Sequence, residues 1–169
     1  MNKKNLILFM PSIEIGGVEK NFIIISNFLS KKFNKITIIT TSFDKKYKFS
    51  NNINFVSYKS LKVSKFSRRL KFLLGLFLLF LEIIKNKNNL VLCFQANIYC
   101  AYMCKILGTK IIIRSNSAPD GWSKNFFKKI VYKHALGIAD KIIVNSLEFK
   151  KNLKKRFNLN SYCIYNPLD

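Results

Sequence analysis

The chain has 169 residues, 49% of them apolar, which is enough for a buried core and excludes an intrinsically disordered segment. Lys and Arg number 30 against 8 Asp and Glu, a net charge of +22. A surplus of that size calls for an anionic partner (membrane lipid, nucleic acid or an acidic substrate), unless an AT-rich coding sequence has inflated the lysine content.

The stretch Asn5–Glu19 reads as a strand, a loop and a helix start. Leu6–Met10 is a continuous apolar run, as expected of a strand covered on both faces, and Pro11, with no N–H to give, ends it. The run is too short and too soon interrupted to read as a secretory signal. Gly16-Gly17 then precede a helical pattern that begins at Val18. The free N–H groups and the positive dipole end of that helix can hold an anion such as a diphosphate. A plain tight turn between strand and helix explains the same glycines, and both readings stay open.

The helix is expected over Val18–Phe33, with Phe22, Ile25, Phe28 and Leu29 recurring at three- and four-residue spacing and Glu19 complementing the dipole in its first turn. A β-branched strand follows at Ile36–Thr41, then a polar loop at Asp44–Asn52 and a short edge-side strand at Ile53–Tyr58. Next comes a basic stretch with Lys59, Lys62, Lys65, Arg68, Arg69 and Lys71. It leads into Phe72–Leu81, read as a largely buried helix. The apolar part is shorter than the roughly 20 residues a bilayer span needs. A hydrophobic helix approached by cations suits a membrane surface; a core helix with a solvated charge run is the other reading.

Leu90–Gln95 reads as another buried strand, and Asn97–Leu107 as a helix that Gly108 ends. Lys110–Arg114 is a strand, followed by a loop, Ser115–Ser123, with turn chemistry at Pro119 and Asp120-Gly121. The helix expected at Lys124–Leu136 turns Phe126, Phe127, Ile130, Val131 and Leu136 inward and Lys124, Lys128, Lys129 and Lys133 outward. Lys141–Val144 is a strand, Ser146 caps a lysine-rich helix at Leu147–Phe157, and a last strand covers Tyr162–Tyr165 before Asn166-Pro167 breaks away. Strands and helices therefore alternate. The fold class is α/β: a Rossmann-like, doubly wound, mostly parallel sheet with helices on both faces. Ligands in such sheets bind beyond the carboxyl ends of the strands, which singles out Ser12–Gly17, Gln95–Asn97, Arg114–Asp120 and Asn145-Ser146.

Several chemistries are missing. Gly16-Gly17 lack the dinucleotide spacing and the second strand ends in Thr40-Thr41 with no acidic residue, so no nicotinamide cofactor is expected. No phosphate-loop motif, paired acids or D-x-D occurs, and no metal is expected. His134, the only histidine, sits among lysines without a nucleophile to serve. Of the four cysteines, Cys93, Cys100 and Cys104 are spaced like no zinc motif and read as reduced core residues of a cytosolic protein, with Cys163 the fourth. What remains is cationic and polar. Arg114, at a strand end, can grip a phosphate or carboxylate, or form an ordinary ion pair. Asn116 and Asp120 can bond sugar hydroxyls or simply shape a turn, and Trp122 can stack on a ligand ring or pack.

Four motifs lie in register along the chain: Gly16-Gly17-Val18-Glu19, Arg114-Ser115-Asn116, Ala139 to Ser146 (ADKIIVNS) and Ile164 to Asp169 (IYNPLD). In these it resembles the N-terminal domain of glycosyltransferase family 4, enzymes of the GT-B fold. The Arg-Ser-Asn segment is most similar to the subgroup that builds bacterial surface glycans, lipopolysaccharide and lipid-linked oligosaccharides. The resemblance implies that residues 1–165 form an acceptor-binding domain, that 166–169 open an interdomain linker, and that a donor-binding domain would follow. It further implies metal-independent transfer with retention, from a nucleotide-sugar to a cell-surface glycan or lipid-linked acceptor, at the inner face of the cytoplasmic membrane. Gly16 and Gly17 would face the donor diphosphate. Glu19, Gln95, Asn97, Arg114, Asn116 and Asp120 would serve the acceptor. Lys62, Lys65, Arg68, Arg69, Lys71, Lys124, Lys128 and Lys129 would dock on anionic lipid. Many relatives carry a catalytic histidine where this chain has Arg114, so no catalytic residue carries over. The chain alone is expected to be inactive. The alternative is a non-catalytic basic module, either a partner subunit of a transferase or a nucleic-acid binder, although no nucleic-acid fold is recognisable.

Overall fold

A computed structural model of the chain describes residues 5–14, 16–58, 66–116 and 125–167. The elements run β1 (Leu6–Phe9), α1 (Gly17–Ser30), β2 (Ile36–Ile39), a 3₁₀ helix (Phe43–Lys48), β3 (Asn54–Val56), α2 (Arg68–Lys85) and β4 (Leu90–Cys93). They continue as α3 (Asn97–Leu107), β5 (Lys110–Ser115), α4 (Phe126–Gly137), β6 (Lys141–Val144), α5 (Leu147–Phe157) and β7 (Tyr162–Cys163). All seven strands are parallel, in the order β3-β2-β1-β4-β5-β6-β7. The order reverses between β1 and β4, so the chain winds outward in both directions from the centre of the sheet.

Apolar residues cover both faces. Leu6, Leu8, Ile36 and Ile38 join Phe22 of α1, Phe49, Phe55 and Phe94 in one cluster. Its rings meet edge-on, Phe22–Phe94 at 4.9 Å and Phe22–Phe49 at 5.8 Å between centroids. On the other face Ile7, Phe9, Val91, Ile111, Ile113 and Val144 meet α2, α3, α4 and α5. Burial of each such side chain contributes roughly 1.5–3 kcal/mol. Cys93, Cys100 and Cys104 belong to this second cluster as free thiols, and Cys163 is half-buried. Burial pushes the Cys104 thiol up to about 12. Among the described residues no cluster of His, Cys, Asp and Glu is placed to hold a metal.

Several elements depart from expectation. The Asp44–Asn52 loop is partly a 3₁₀ helix, tied to α1 because Asn27 Nδ2 donates to the Lys48 carbonyl (3.0 Å) and Ser50 N donates to Asn27 Oδ1 (2.8 Å). Helix α1 ends at Ser30, three residues before Phe33. Helix α2 starts one turn before Phe72, where Ser67 Oγ accepts from Leu70 N. It is not largely buried: Gly75, Leu76, Leu79 and Ile83 form the inward line, while Leu73, Phe77 and Ile84 are 61, 54 and 46% exposed. Helix α4 starts after the cap Asn125 and buries only Ala135 and Leu136, so Phe126, Phe127, Ile130 and Val131 face solvent rather than the core. Among the described residues no helix is long and apolar enough to cross a membrane.

Two contacts fix the carboxyl end of the sheet. Thr41 holds the segment after β1, its N and Oγ1 both donating to the Pro11 carbonyl (2.9 and 2.7 Å). Gly75 lets α2 close on the same point. A Cβ there would lie 3.2 Å from both Cα and Cβ of Pro11. The helix is thus drawn against β1, with its first turn beside the strand ends.

Candidate functional site

A cleft of about 640 Å³ opens at this end, beside the reversal in strand order. Pro11 and Ser12 follow β1, and Val18 and Glu19 begin α1. Phe94 to Tyr99 span the turn from β4 into α3. Ser115 ends β5 and Asn116 follows it, Arg68 and Phe72 come from the first two turns of α2, and Tyr132 reaches in from α4.

The turn into α3 is strained. Ala96 has φ 64°, a left-handed conformation that costs a residue with a Cβ on the order of 1–2 kcal/mol. Such strain persists only where the surroundings enforce it, and it gathers at functional sites. Here Cys93 Sγ donates to the Gln95 carbonyl (2.7 Å) and Asn116 Nδ2 donates to the Phe94 carbonyl (3.2 Å). Together they place Gln95 and Asn97 on the floor of the cleft.

The floor is polar and wired across elements. Gln95 Nε2 donates to Glu19 Oε1 (3.4 Å), and Asn97 Nδ2 lies 3.5 Å from the Arg114 carbonyl. Asn97 Oδ1 is buried with no hydrogen-bond partner. Ser115 Oγ and Tyr132 OH sit 3.2 Å apart. Burial pushes the Tyr132 phenol up to about 12, while hydrogen bonds from Ser115 and Asn97 act the other way. The phenol is therefore a neutral donor and acceptor at physiological pH. One wall is aromatic, with Phe72 and Tyr99 edge-on at 5.1 Å. A carboxylate, amides and hydroxyls beside aromatic faces suit a ligand that is hydroxylated on its edges and apolar on its faces.

Four residues singled out in the sequence meet here: Glu19, Gln95, Asn97 and Asn116, with Arg68 at the mouth. Gly16 and Gly17 stand exposed just before Val18. Gly16 has φ 175°, which any residue adopts, so the turn does not demand glycine for its backbone. A Cβ at Gly16 would come within 2.5 Å of Glu19 Oε2, whereas one at Gly17 would meet nothing within 4 Å. The first glycine makes room for the carboxylate, and the second borders open space.

Arg114 is elsewhere. Strand alternation turns it to the face opposite Ser115, where it is 2% exposed. Its Nη2 donates to the Ile164 carbonyl (3.3 Å) and to Asn166 Oδ1 (3.0 Å), and its Nε is buried without a partner. Burial lowers its pKa. The guanidinium thus holds the segment leaving β7. Arg69 and Lys71 lie on the first turns of α2, and Lys128 and Lys129 on those of α4. Lys62, Lys65, Asp120, Trp122 and Lys124 lie outside the described residues.

Phe72, Tyr99 and Tyr132 line the cleft without having been singled out, beside Ser12 and Ser115. Ser12 and Ser115 belong to strand-end segments the sequence does mark; the aromatics sit on helices, and no local pattern points them at the site. His134 stacks on Tyr102 (5.6 Å, 24°) with Nδ1 2.9 Å from its hydroxyl, and it does not line the cleft.

The sequence matches no protein-family profile and no curated protein. Solved structures do match in shape. Alr3699/HepE of Anabaena, in complex with UDP-glucose, superposes with a TM-score of 0.64 at 13% identity, over 98% of this chain and 44% of its own. UGT73P12 of Glycyrrhiza uralensis, complexed with glycyrrhetinic acid 3-O-monoglucuronide, gives 0.59 at 11% identity, over 95 and 48%. UGT2 of Phytolacca americana, complexed with UDP-2-fluoro-glucose and pterostilbene, gives 0.60 at 8% identity, over 94 and 52%. The chain has the fold of one Rossmann-like half of a GT-B glycosyltransferase. This GT-B half spans about half the length of the structures it matches.

Proposed function

We propose that this GT-B half is the acceptor-binding side of a nucleotide-sugar-dependent glycosyltransferase of family 4 type, which transfers a hexose with retention and without a metal. The observation that carries the reading is the cleft itself. It gathers Glu19, Gln95, Asn97 and Asn116 at the carboxyl ends of parallel strands, with Phe72 and Tyr99 beside them. A sugar bonds its hydroxyls to such groups and lays its C–H face on the rings. Gly16 and Gly17, on the open side of α1, suit the approach of a donor diphosphate to the helix start. That HepE was solved with UDP-glucose supports a uridine-diphosphate sugar as donor class. The basic first turns of α2 and α4 dock the half on an anionic membrane.

Saturation-transfer NMR with a panel of oligosaccharides tests the acceptor site. Binding oligosaccharides should perturb Tyr99 and Tyr132, and Glu19→Gln with Asn116→Ala should weaken them at least tenfold, in line with about 1.5–3 kcal/mol for a charged hydrogen bond. Saccharide binding that ignores both substitutions would overturn the assignment. Robust turnover of a nucleotide-sugar by the 169-residue chain would show instead that one half suffices.

A further inference from the structure

We propose that a second hollow, at the other end of the sheet from the cleft, binds a small phosphate monoester through Lys141, Lys150, Lys154 and the hydroxyl of Ser161. The hollow has a volume of about 600 Å³. Lys141 begins β6 and Tyr162 begins β7, which places it at the amino ends of these strands. Helix α4 ends on one side of it, at Leu136 and Gly137. Helix α5 turns Lys150 and Lys154 toward it, one helical turn apart. The segment from α5 into β7 closes it with Leu159, Asn160 and Ser161.

Charge is the first observation. Among the described residues none of the three lysines forms an ion pair. Lys141 Nζ donates to Tyr162 OH (3.2 Å) and stands 5.3 Å from the centre of its ring. Asp140 is the one carboxylate lining the hollow, and its Oδ2 accepts from Ile111 N (2.8 Å). Helices α4 and α5 both end at this side of the sheet, each bringing about half a negative charge. Three ammonium groups outweigh one carboxylate and two helix ends, and the surplus stands in a walled space that concentrates its field.

A buried hydroxyl is the second observation. Ser161 is 7% exposed, and its Oγ is buried with no hydrogen-bond partner. An unpaired buried hydroxyl is disfavoured, yet the fold keeps one beside three cations. A phosphate oxygen supplies the missing acceptor. The Tyr162 hydroxyl accepts from Lys141 and so keeps its own hydrogen for a second oxygen. Asn160 suits hydroxyls on the rest of the ester, and Leu136 and Leu159 its carbon skeleton.

The ligand class follows from charge and size. A phosphate monoester carries close to two negative charges at neutral pH and offers three acceptor oxygens to three ammonium groups, where a carboxylate brings one charge. The volume suits a small molecule. A nucleic-acid strand would follow the open side of α5, where Lys151 and Lys155 stand exposed outside the hollow. The dipole of α5 and solubility explain why that helix is basic. They do not bring Lys141 of β6 together with Lys150 and Lys154 around an unpaired hydroxyl.

The test titrates the 169-residue chain with glucose 6-phosphate, inorganic phosphate, glucuronate and glucose, followed by calorimetry and by the amide NMR signals of Ser161 and Tyr162. Glucose 6-phosphate should bind at least tenfold tighter than glucose or glucuronate and at least threefold tighter than inorganic phosphate. Lys150→Gln with Lys154→Gln should weaken it at least tenfold. Lys151→Gln with Lys155→Gln removes the same charge from the same helix and should change it less than twofold. Ser161→Ala should weaken binding about threefold without lowering the melting temperature, because the hydroxyl it removes has no partner in the fold. Equal losses in the two lysine pairs mean diffuse attraction and overturn the site. Glucuronate binding as tightly as glucose 6-phosphate overturns the phosphate, and inorganic phosphate binding as tightly overturns the ester. Glu19→Gln, in the cleft, should leave glucose 6-phosphate binding unchanged; a loss there moves the ligand to the cleft and overturns the proposal while leaving the acceptor reading standing.

Discussion

Helices α2 and α5 pack on the same face of the sheet, and each buries an apolar line, Leu76, Leu79 and Ile83 on one, Phe149 and Leu153 on the other. What they turn outward differs. Helix α5 shows solvent Lys150, Lys151, Lys154, Lys155 and Arg156, with Glu148 in its first turn and three of the cations in its last. That is the arrangement a helix dipole favours, acid at the start and base at the end. Helix α2 has Arg68 and Arg69 in its first turn and no acid there, so its cations sit where the dipole disfavours them. Its outward line is apolar. The charges of α5 are accounted for by helix stability and solubility. Those of α2 work against the helix that carries them and need another reason, and the adjacent cleft mouth and apolar line supply one.

The comparison breaks most visibly within α2. Leu79→Ala, on the inward line at 0% exposure, should lose about 2–5 kcal/mol of unfolding free energy in urea titrations. Phe77→Ala, two residues away and 54% exposed, should change it by less than about 0.5 kcal/mol. Similar losses at both would mean that the outward line is packed, and would remove the membrane-facing assignment.

A pH titration tests whether the inward side of the layer is dry. The Cys104 thiol is pushed up to about 12 by burial, from an ordinary 9.0. Below pH 9 both folded and unfolded chains hold the proton and the thiol has no influence. Above it the unfolded chain releases the proton first. Stability should therefore fall from about pH 9 to 12, by up to about 1.4 kcal/mol per pH unit for one proton. Cys104→Ala should flatten part of that decline in thermal melts. An unchanged decline would place the source elsewhere.

The fold was legible in the sequence because its strands are short, apolar and β-branched and their boundaries carry local chemistry. Asn97–Leu107 is a helix over the residues expected, closed by Gly108 at φ 69°, and Ser146 caps α5 by accepting from Phe149 N. The direction in which α2 and α4 face was not legible. Phe72–Leu81 is apolar at nearly every position, so periodicity cannot choose between its two lines; Gly75, where a Cβ would crowd Pro11 at 3.2 Å, was the usable signal. In α4 the bulky Phe126, Phe127, Ile130 and Val131 suggested the core side along with Leu136, but only Leu136 and the small Ala135 are buried there. At the site, Gln95, Asn97 and Asn116 could be read because strand ends collect ligands. Tyr132 and Tyr99 could not, because only the assembled layer brings helix side chains to the cleft. Arg114 was a matter of parity: Ser115 bonds Tyr132, so the residue before it must point to the other face.

The smallest expected effect isolates the dipole argument. Arg68→Glu with Arg69→Glu, and Lys154→Glu with Lys155→Glu, each lower the net charge by four, so relief of general repulsion is common to both pairs. The local contribution has opposite sign. Acids at the start of α2 should stabilise by about 0.3–1 kcal/mol per position, and acids at the end of α5 should destabilise by a similar amount. The readout is the difference between the two variants in urea unfolding at low salt, and it should shrink as salt rises. Vesicle binding should move against stability, lost in the more stable α2 variant and largely kept in the less stable α5 variant. A mutation that strengthens the fold while removing an interaction separates the two roles more cleanly than any truncation. If the two variants shifted alike in both assays, position along the helix would carry no information and the cations of α2 would be as ordinary as those of α5.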